Sequence, residues 1–234
     1  MVSLKDEEAD DDYDFTLLPV PDYLPCCCTI DDGQTQIIVR ALRRDEVGDF
    51  YAAVKQAMES GNGYGHDELS GLAYFTRWYV DDKYNLIYEL ATSDTDDDRQ
   101  STKDNVDKQD KRIVIGYNNF GTSVYSRSHE NPKLFDGNMV IRPEFRGRRW
   151  SRDLTKISQG IEIDCGVRSF FEETFITNIP ATRNLRRTGA IICGTVPRNT
   201  YVRDFGFVDG ILFYKHLDEC QSFRLVNGFV QSKI

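Results

Sequence analysis

A chain of 234 residues with a formal net charge of -9, 40% hydrophobic and 29% charged residues has room for one sizeable core, which excludes collagen-like and wholly disordered chains. Duplex-binding domains are usually basic overall, so the acidic total argues against nucleic acid as a partner and confines any anion site to a local cluster. No apolar run approaches the roughly eighteen residues needed to cross a bilayer, and the acidic start of the chain has no signal-peptide core. The expectation is a cytoplasmic protein, with the nucleus also open to it and no membrane partner.

In chain order, residues 1–30 begin with a like-charge block, "KDEEADDDYD", and are expected to form an acidic, disordered tail. Within it Cys26, Cys27 and Cys28 are consecutive, and with Cys165, Cys193 and Cys220 they show neither zinc nor disulfide spacing, so reduced thiols are expected. The β-branched run at 35–42 predicts a strand. Residues 44–60 predict a helix, with Val47, Phe50, Val54 and Ala57 at helical spacing. A second helix is predicted over 67–82, with Leu69, Leu72, Ala73, Thr76 and Tyr79 on one face. Strands starting at Tyr84 and Arg112 flank a polar acidic segment, 93–111, that reads as a disordered loop, and they should pair antiparallel. A strand at 137–143 leads into an arginine-rich stretch and a helix to about Ile163. The rest is a strand at 168–177, a helix near 181–187, strands at 190–196 and 209–217, and a C-terminal extension at 218–234. Hairpin links alternating with helical crossovers predict an α/β (α+β) domain over 35–217, with a mixed, mainly antiparallel sheet of about seven strands and helices on both faces. His66, His129 and His216 form no set, and no metal site is expected.

Arg142 to Leu154, "RPEFRGRRWSRDL", carries five arginines where a strand gives way to a helix. A helix N-terminus has free N–H groups and a partial positive charge, so cations there are unfavourable by about 0.3 to 1 kcal/mol each. A phosphate or pyrophosphate seated on the N–H groups around Gly147 to Ser151 would reverse that sign; the alternative is that the arginines face water and pair with Glu144 and Asp153. A second feature is Glu172 with Glu173, two carboxylates inside the apolar strand "FFEETF". One must face each side of the sheet, and Glu173 shares its side with Phe171 and Phe175. Burial would raise a carboxyl pKa and suit it to act as a base.

The strand ending in Arg146-Gly-Arg-Arg-Trp-Ser151 and opening a helix resembles the acyl-CoA motif of the GNAT acetyltransferase superfamily, Gln/Arg-x-x-Gly-x-Gly/Ala, with Arg149 in the place of the middle glycine. Asn178-Ile-Pro-Ala181, followed by Leu185, Arg187 and Gly189-Ala190, resembles that family's later signature, Asn-x-x-Ala then Tyr-x-Lys-x-Gly-Phe. The segments "ETFITNIPA" and "GTVPRNTYVRDFGFVDGILFYKHL" are similar, more narrowly, to fungal acetyltransferases of proline analogues, which also carry a cation at the Arg149 position.

The resemblance implies a GNAT-like fold and an N-acetyltransferase that takes acetyl-CoA as co-substrate and an amine as acceptor, with a homodimer allowed. It implies backbone N–H groups of the strand Asn138 to Arg142 at the thioester, Val140 and Ile141 being nearest the acyl group. Arg146, Gly147, Arg148, Arg149, Trp150, Ser151 and Arg152 would hold the pyrophosphate, Asn178 would open the CoA-proximal turn, and Arg183 would reach the outer phosphate. Glu173 and Glu172 are the base candidates. The family's frequent tyrosine acid is Leu185 here, which leaves Tyr214 or Tyr201 to protonate the thiolate, or the thiolate to leave unassisted. The alternative is a non-catalytic GNAT-like module that binds CoA or a protein partner. RNA binding through the arginines would lack the usual aromatic stacking residues.

Overall fold

The computed structural model describes residues 14–31, 33–61, 64–65, 69–91, 112–123, 126 and 134–217. Residues 1–13 of the expected tail, the expected loop at 93–111 and the extension at 218–234 lie outside the described residues. The strands are β1 (Cys26–Ile30), β2 (Thr35–Ala41), β3 (Tyr84–Leu90), β4 (Val114–Thr122), β5 (Leu134–Ile141), β6 (Ser169–Phe175), β7 (Ile191–Val202) and β8 (Gly206–His216). The helices are α1 (Val47–Glu59), α2 (Leu72–Phe75, continuing into a wider π turn at Thr76–Val80), α3 (Trp150–Asp164) and α4 (Ile179–Arg187). The eight strands form one sheet in the order β1-β2-β3-β4-β5-β6-β8-β7. Every neighbouring pair is antiparallel except β5 and β6, which are parallel.

The strand beyond the expected seven is β1, inside the stretch 1–30 expected to be a tail. Its alternation buries Cys26, Cys28 and Ile30 and leaves Cys27 exposed, so five residues suffice to close the sheet edge. The segment before it is also held: Leu18 N–H donates to Lys83 O, and Val20, Tyr23 and Leu24 pack on the core. A charge count over the first residues missed these apolar contacts because they form only across the sheet. The cysteines among the described residues are free thiols.

Two apolar layers sandwich the sheet. On one face Val47, Phe50, Val54 and Ala57 of α1, at their helical spacing, pack with Phe75, Val80, Ile87, Tyr117 and Val140. On the other face Leu154 and Ile161 of α3 and Leu185 of α4 pack with Ile37, Val39, Leu86, Tyr88, Ile211 and Phe213. The second predicted helix is shorter than 67–82. It begins after Gly71, and its buried face is Phe75, Thr76 and Val80, while Leu72, Tyr74 and Trp78 are exposed. The widened turn rotates the face away from the simple helical register that placed Leu72 inside.

A buried cation ties the α1 layer to the sheet. Arg40 on β2 donates to both carboxylate oxygens of Glu46 at the start of α1, at 2.7 and 2.6 Å, and to Glu89 on β3 at 2.5 Å. Burial alone would raise the Glu46 pKa, but hydrogen bonds and charge from Arg40 and Arg43 hold it below its ordinary value. That contribution is therefore full at neutral pH and fades as the pH falls through the depressed value. Arg40→Met, which strands Glu89 without its nearest cation, should cost about 3 kcal/mol in urea unfolding. Arg43→Ala, at an exposed pair, should cost less than about 1 kcal/mol.

Candidate active site

β5 and β6 are hydrogen-bonded at only two register positions, Leu134↔Ser169 and Phe135↔Phe170, and then part. The direction of the backbone groups beyond that point follows from their other neighbours. Arg142 N–H donates to Ile115 O and Asn138 N–H to Asn119 Oδ1, so the N–H groups of even-numbered β5 residues point to β4. Those of Gly137, Met139 and Ile141 point into the gap. On β6, Ile176 N–H donates to Asp209 O, and Leu217 N–H to Arg168 O. The N–H groups of Phe171, Glu173 and Phe175 therefore face the gap from the other side. A strand-like guest carrying amides can pair with both rails. Val140, expected nearest an acyl group, turns its N–H to β4 and its side chain into the α1 core, whereas the N–H groups of Met139 and Ile141 face the gap.

The gap opens into a cleft of about 380 Å³ whose mouth is the arginine turn. Arg146, Gly147, Arg148, Arg149, Trp150 and Ser151 line it, together with Asn178, Pro180, Ala181, Asn184 and Leu185 of the α4 side. Pro143–Phe145 makes a short 3₁₀ turn, after which Gly147 has φ 77° and Arg149 φ 65°. Both values lie in the left-handed region, where glycine is free and arginine is strained. Arg149 occupies the N-cap position of α3 in that left-handed conformation, without a capping bond from its side chain. A Cβ at Gly147 would meet nothing, so the amides there stand open to a ligand. Trp150 is buried, and its Nε1–H lacks a hydrogen-bond partner. Open amides, a helix start and an orphaned indole N–H all suit an acidic guest at this mouth.

Individual side chains differ from the expected roster. Arg146 lines the cleft, and its Nε–H donates to Ile141 O at 2.8 Å, which pins the turn to the end of β5. Arg148 lies over the rings of Phe145 and Trp150, at 5.5 and 5.0 Å from their centroids, leaving its outer N–H groups at the rim. Arg152 and Arg183 are exposed and do not line the cleft, since they face solvent from α3 and α4. Asn178 caps α4 by accepting from Ala181 N–H at 3.3 Å. Tyr214 sits opposite Phe171 on the α1 face and packs edge-on against His216, and Tyr201 stacks on Phe207; neither lines the cleft.

The two neighbouring glutamates divide as strand alternation requires. Glu173 faces the α1 side, exposed, with Asn199 Nδ2–H donating to its Oε1. Burial raises its pKa and the Asn199 bond opposes the rise. Glu172 faces the α3 side, opposite Phe213. Burial pushes its carboxyl up to about 8, with further rises from Glu162 and Asp136. Glu162, on α3, was not foreseen from the sequence. Burial pushes it up to about 7, against the lowering effects of Ser158 and Lys215. Ser158 donates to Glu162 at 2.6 Å and receives Asn118 Nδ2–H at 2.5 Å. Only the i, i+4 spacing of Ser158 and Glu162 could have signalled this pair, and nothing in that spacing points toward β6. Among the described residues no group of three or more His, Cys, Asp or Glu could hold a metal ion. No helix among them is long and apolar enough to cross a membrane.

A mixed sheet parted between its two parallel strands, with a helix start at the opening, is the architecture of GNAT N-acetyltransferases. A GCN5-related N-acetyltransferase from Kribbella flavida superposes with TM-score 0.58 at 14% identity, over 77% of this chain and 97% of that one. A Salmonella typhimurium protein described as an acetyltransferase, solved with its cofactor acetyl-CoA, gives 0.55 at 14% identity over 78% and 95%. Spermidine N-acetyltransferase from Vibrio cholerae, solved with CoA and spermine, gives 0.54 at 13% identity over 78% and 96%. At these identities the likeness is one of fold. No family model matches the sequence, and no curated protein matches it significantly.

Arg149→Gly would relieve the left-handed strain. It should stabilise the fold by about 1 kcal/mol in urea unfolding, the lower end of the range for a non-glycine residue in that region. A loss of stability instead would mean that the side chain of Arg149 holds the turn.

Proposed function

We propose that the protein transfers an acetyl group from acetyl-CoA directly to the nitrogen of a small amine or amino acid. The observation that supports this most is the parting of β5 and β6 after two residue pairs, with the Arg146–Ser151 turn at its mouth. Acetyl-CoA supplies an acyl group on a thiol leaving group, an amide-bearing arm and a pyrophosphate. In this proposal the gap-facing N–H groups of Gly137, Met139 and Ile141 take the arm and polarise the thioester carbonyl. The amides at Gly147 to Ser151, with Arg148 and Arg149, hold the pyrophosphate.

The acceptor then approaches from the α1 side, where Asp136, Asn138 and Glu173 line the cleft. Glu173 takes the proton of the attacking ammonium, directly or through water, and its raised pKa makes it a better base than an ordinary surface carboxylate. The acidic chain favours a cationic acceptor by long-range attraction. Spermine, present in the Vibrio cholerae structure, and small amino acids of the proline-analogue type, suggested by the narrower similarity in the second half of the chain, are the first acceptors to try. The exposed Ile191 and Ile192 on β7, the outer strand beyond β8, support a homodimer, and the cytoplasm remains the proposed compartment. A non-catalytic CoA-binding module is the second reading, favoured by Leu185 in the place of the family's tyrosine.

Calorimetry with acetyl-CoA should give a dissociation constant in the micromolar range, and absence of binding at tens of micromolar would sink both readings. Thiol release with a panel of spermine, benzylamine and small amino acids then separates enzyme from module. Replacing Arg148 and Arg149 together by alanine should weaken acetyl-CoA about tenfold or more. The same double variant should leave S-acetylpantetheine unchanged, and equal losses for both would remove the pyrophosphate from this turn. Glu173→Gln should lower turnover about a hundredfold with little change in acetyl-CoA affinity. In the wild-type protein the rate should rise with pH as Glu173 loses its proton.

A further inference from the structure

Acyl transfer leaves a thiolate on the side of the sheet away from the amine, and a group must protonate it. We infer that Glu172 is the general acid, giving its carboxyl proton to the departing sulfur, with Glu162 the positioning residue that keeps that proton on the pair. This rests on the acyl-transfer role proposed above.

The position is set by alternation. Because Glu173 faces the α1 side, Glu172 must face α3 and α4, the side that carries the arginine turn and Leu185. Leu185 brings only an apolar side chain to the cleft, and Tyr201 and Tyr214 do not line it. Two hydroxyls on that wall are already committed. Ser158 is held between Asn118 and Glu162, and Thr155 donates to Ser151 O while receiving Asn184. Of the two carboxyls on that wall, Glu162 is held by Ser158, whereas Glu172 has no hydrogen bond among the described residues and its proton is free to face the cleft.

Two carboxyls sharing a poorly hydrated site cannot both ionise easily, so the pair retains a proton near neutral pH. Charged and titratable groups reach it from each packed element. Asp136 on β5 adds negative charge beside Glu172, and Lys215 on β8 lowers Glu162. Lys215 is itself engaged by Gln159 Oε1 and Thr188 O. Tyr88 on β3 lies behind Ser158 and stays neutral, its pKa raised by burial. Cys165, after α3, is raised to about 12 by burial, with Glu162 and Asp164 adding to the rise. Glu173 occupies the opposite face. The net surroundings favour a proton on Glu172 over a carboxylate, whereas a lone solvated glutamate would have lost it.

The step balances without another reagent. The ammonium gives one proton to Glu173 and its nitrogen forms the C–N bond. The C–S bond then breaks and its electron pair goes to sulfur, which takes the proton of Glu172. The nitrogen loses its second proton to solvent. Glu172 is recharged from solvent, Glu173 discharges to it, and each turnover releases one net proton with amide and free thiol.

The test uses the full-length protein with Glu172→Gln and Glu162→Gln variants. Carbon-13 labelled glutamate followed by NMR should show two carboxyls titrating near neutral pH in the free protein, one lost in each variant. In Glu162→Gln the surviving Glu172 should titrate about one pH unit lower. With acetyl-CoA and an accepted amine, Glu172→Gln should turn over about a hundredfold slower, with acetyl-CoA affinity by calorimetry within threefold of wild type. With S-phenyl thioacetate, whose thiolate leaves without help, the same variant should lose less than threefold. The alkaline limb of the wild-type profile should shift down in Glu162→Gln. Carboxyls titrating in the ordinary range, or equal losses with both donors, overturn the assignment while leaving acetyl transfer intact. No acetyl-CoA binding or no thiol release by the wild-type protein removes the acyl-transfer role, and this assignment falls with it.

Discussion

The rest of the site depends on β5 and β6 ceasing to pair after Phe135 and Phe170. A parallel pair inside a sheet would normally satisfy its backbone groups along its whole length, because unpaired N–H and C=O groups are costly away from water. Here two rails of such groups are left facing one another. The sheet tolerates the gap because β5 is still anchored by seven register pairs to β4, and β6 by seven to β8. The two apolar layers, around α1 and around α3, clamp the sheet on either side of the opening. The fold therefore holds open a strand-shaped gap lined on both sides by backbone amide groups.

The gap also makes strand alternation chemically useful. Elsewhere in the sheet, odd and even residues face two separate cores. At β6 they face two sides of one cleft, so consecutive glutamates of similar chemistry meet different environments. Glu173 lies in an exposed position with an amide partner, while Glu172 is half-buried on the α3 side and feels the charge of a second carboxyl. In the reaction proposed above, a base and an acid drawn from adjacent residues would need no special machinery beyond a strand that lines a cleft.

The arginine turn shows how backbone and charge divide their work. Arg146 spends its side chain on the carbonyl of Ile141, Arg148 lies across two aromatic rings, and Arg149 takes a left-handed conformation to start α3. What the cluster offers an anion is mainly the set of amides that this geometry exposes, with charge at the rim. Strain at Arg149 is a local cost of placing a cation at the helix start, and such strain persists where a site over-determines it.

Much of the fold was legible in the chain because it is written in local periodicity. The apolar spacing of α1, the alternation in β2 to β8, the order of strands and helices and the strand-to-helix arginine turn all follow from residues near one another in sequence. β1 escaped because five residues rich in cysteine, beside an acidic run, carry little pattern of their own. In the site, the sequence determined that Glu172 and Glu173 face opposite ways and that an anion suits the turn at Gly147. It could not say which glutamate would be the less exposed one. That was decided when α3 brought Glu162, ten residues away by chain and separated by a turn, against β6. Nor could it say whether Met139 or Val140 turns its N–H to the gap, because N–H direction depends on which side β4 occupies. Periodicity assigns a face, but burial, charge pairing and backbone direction belong to whatever the tertiary structure packs against that face.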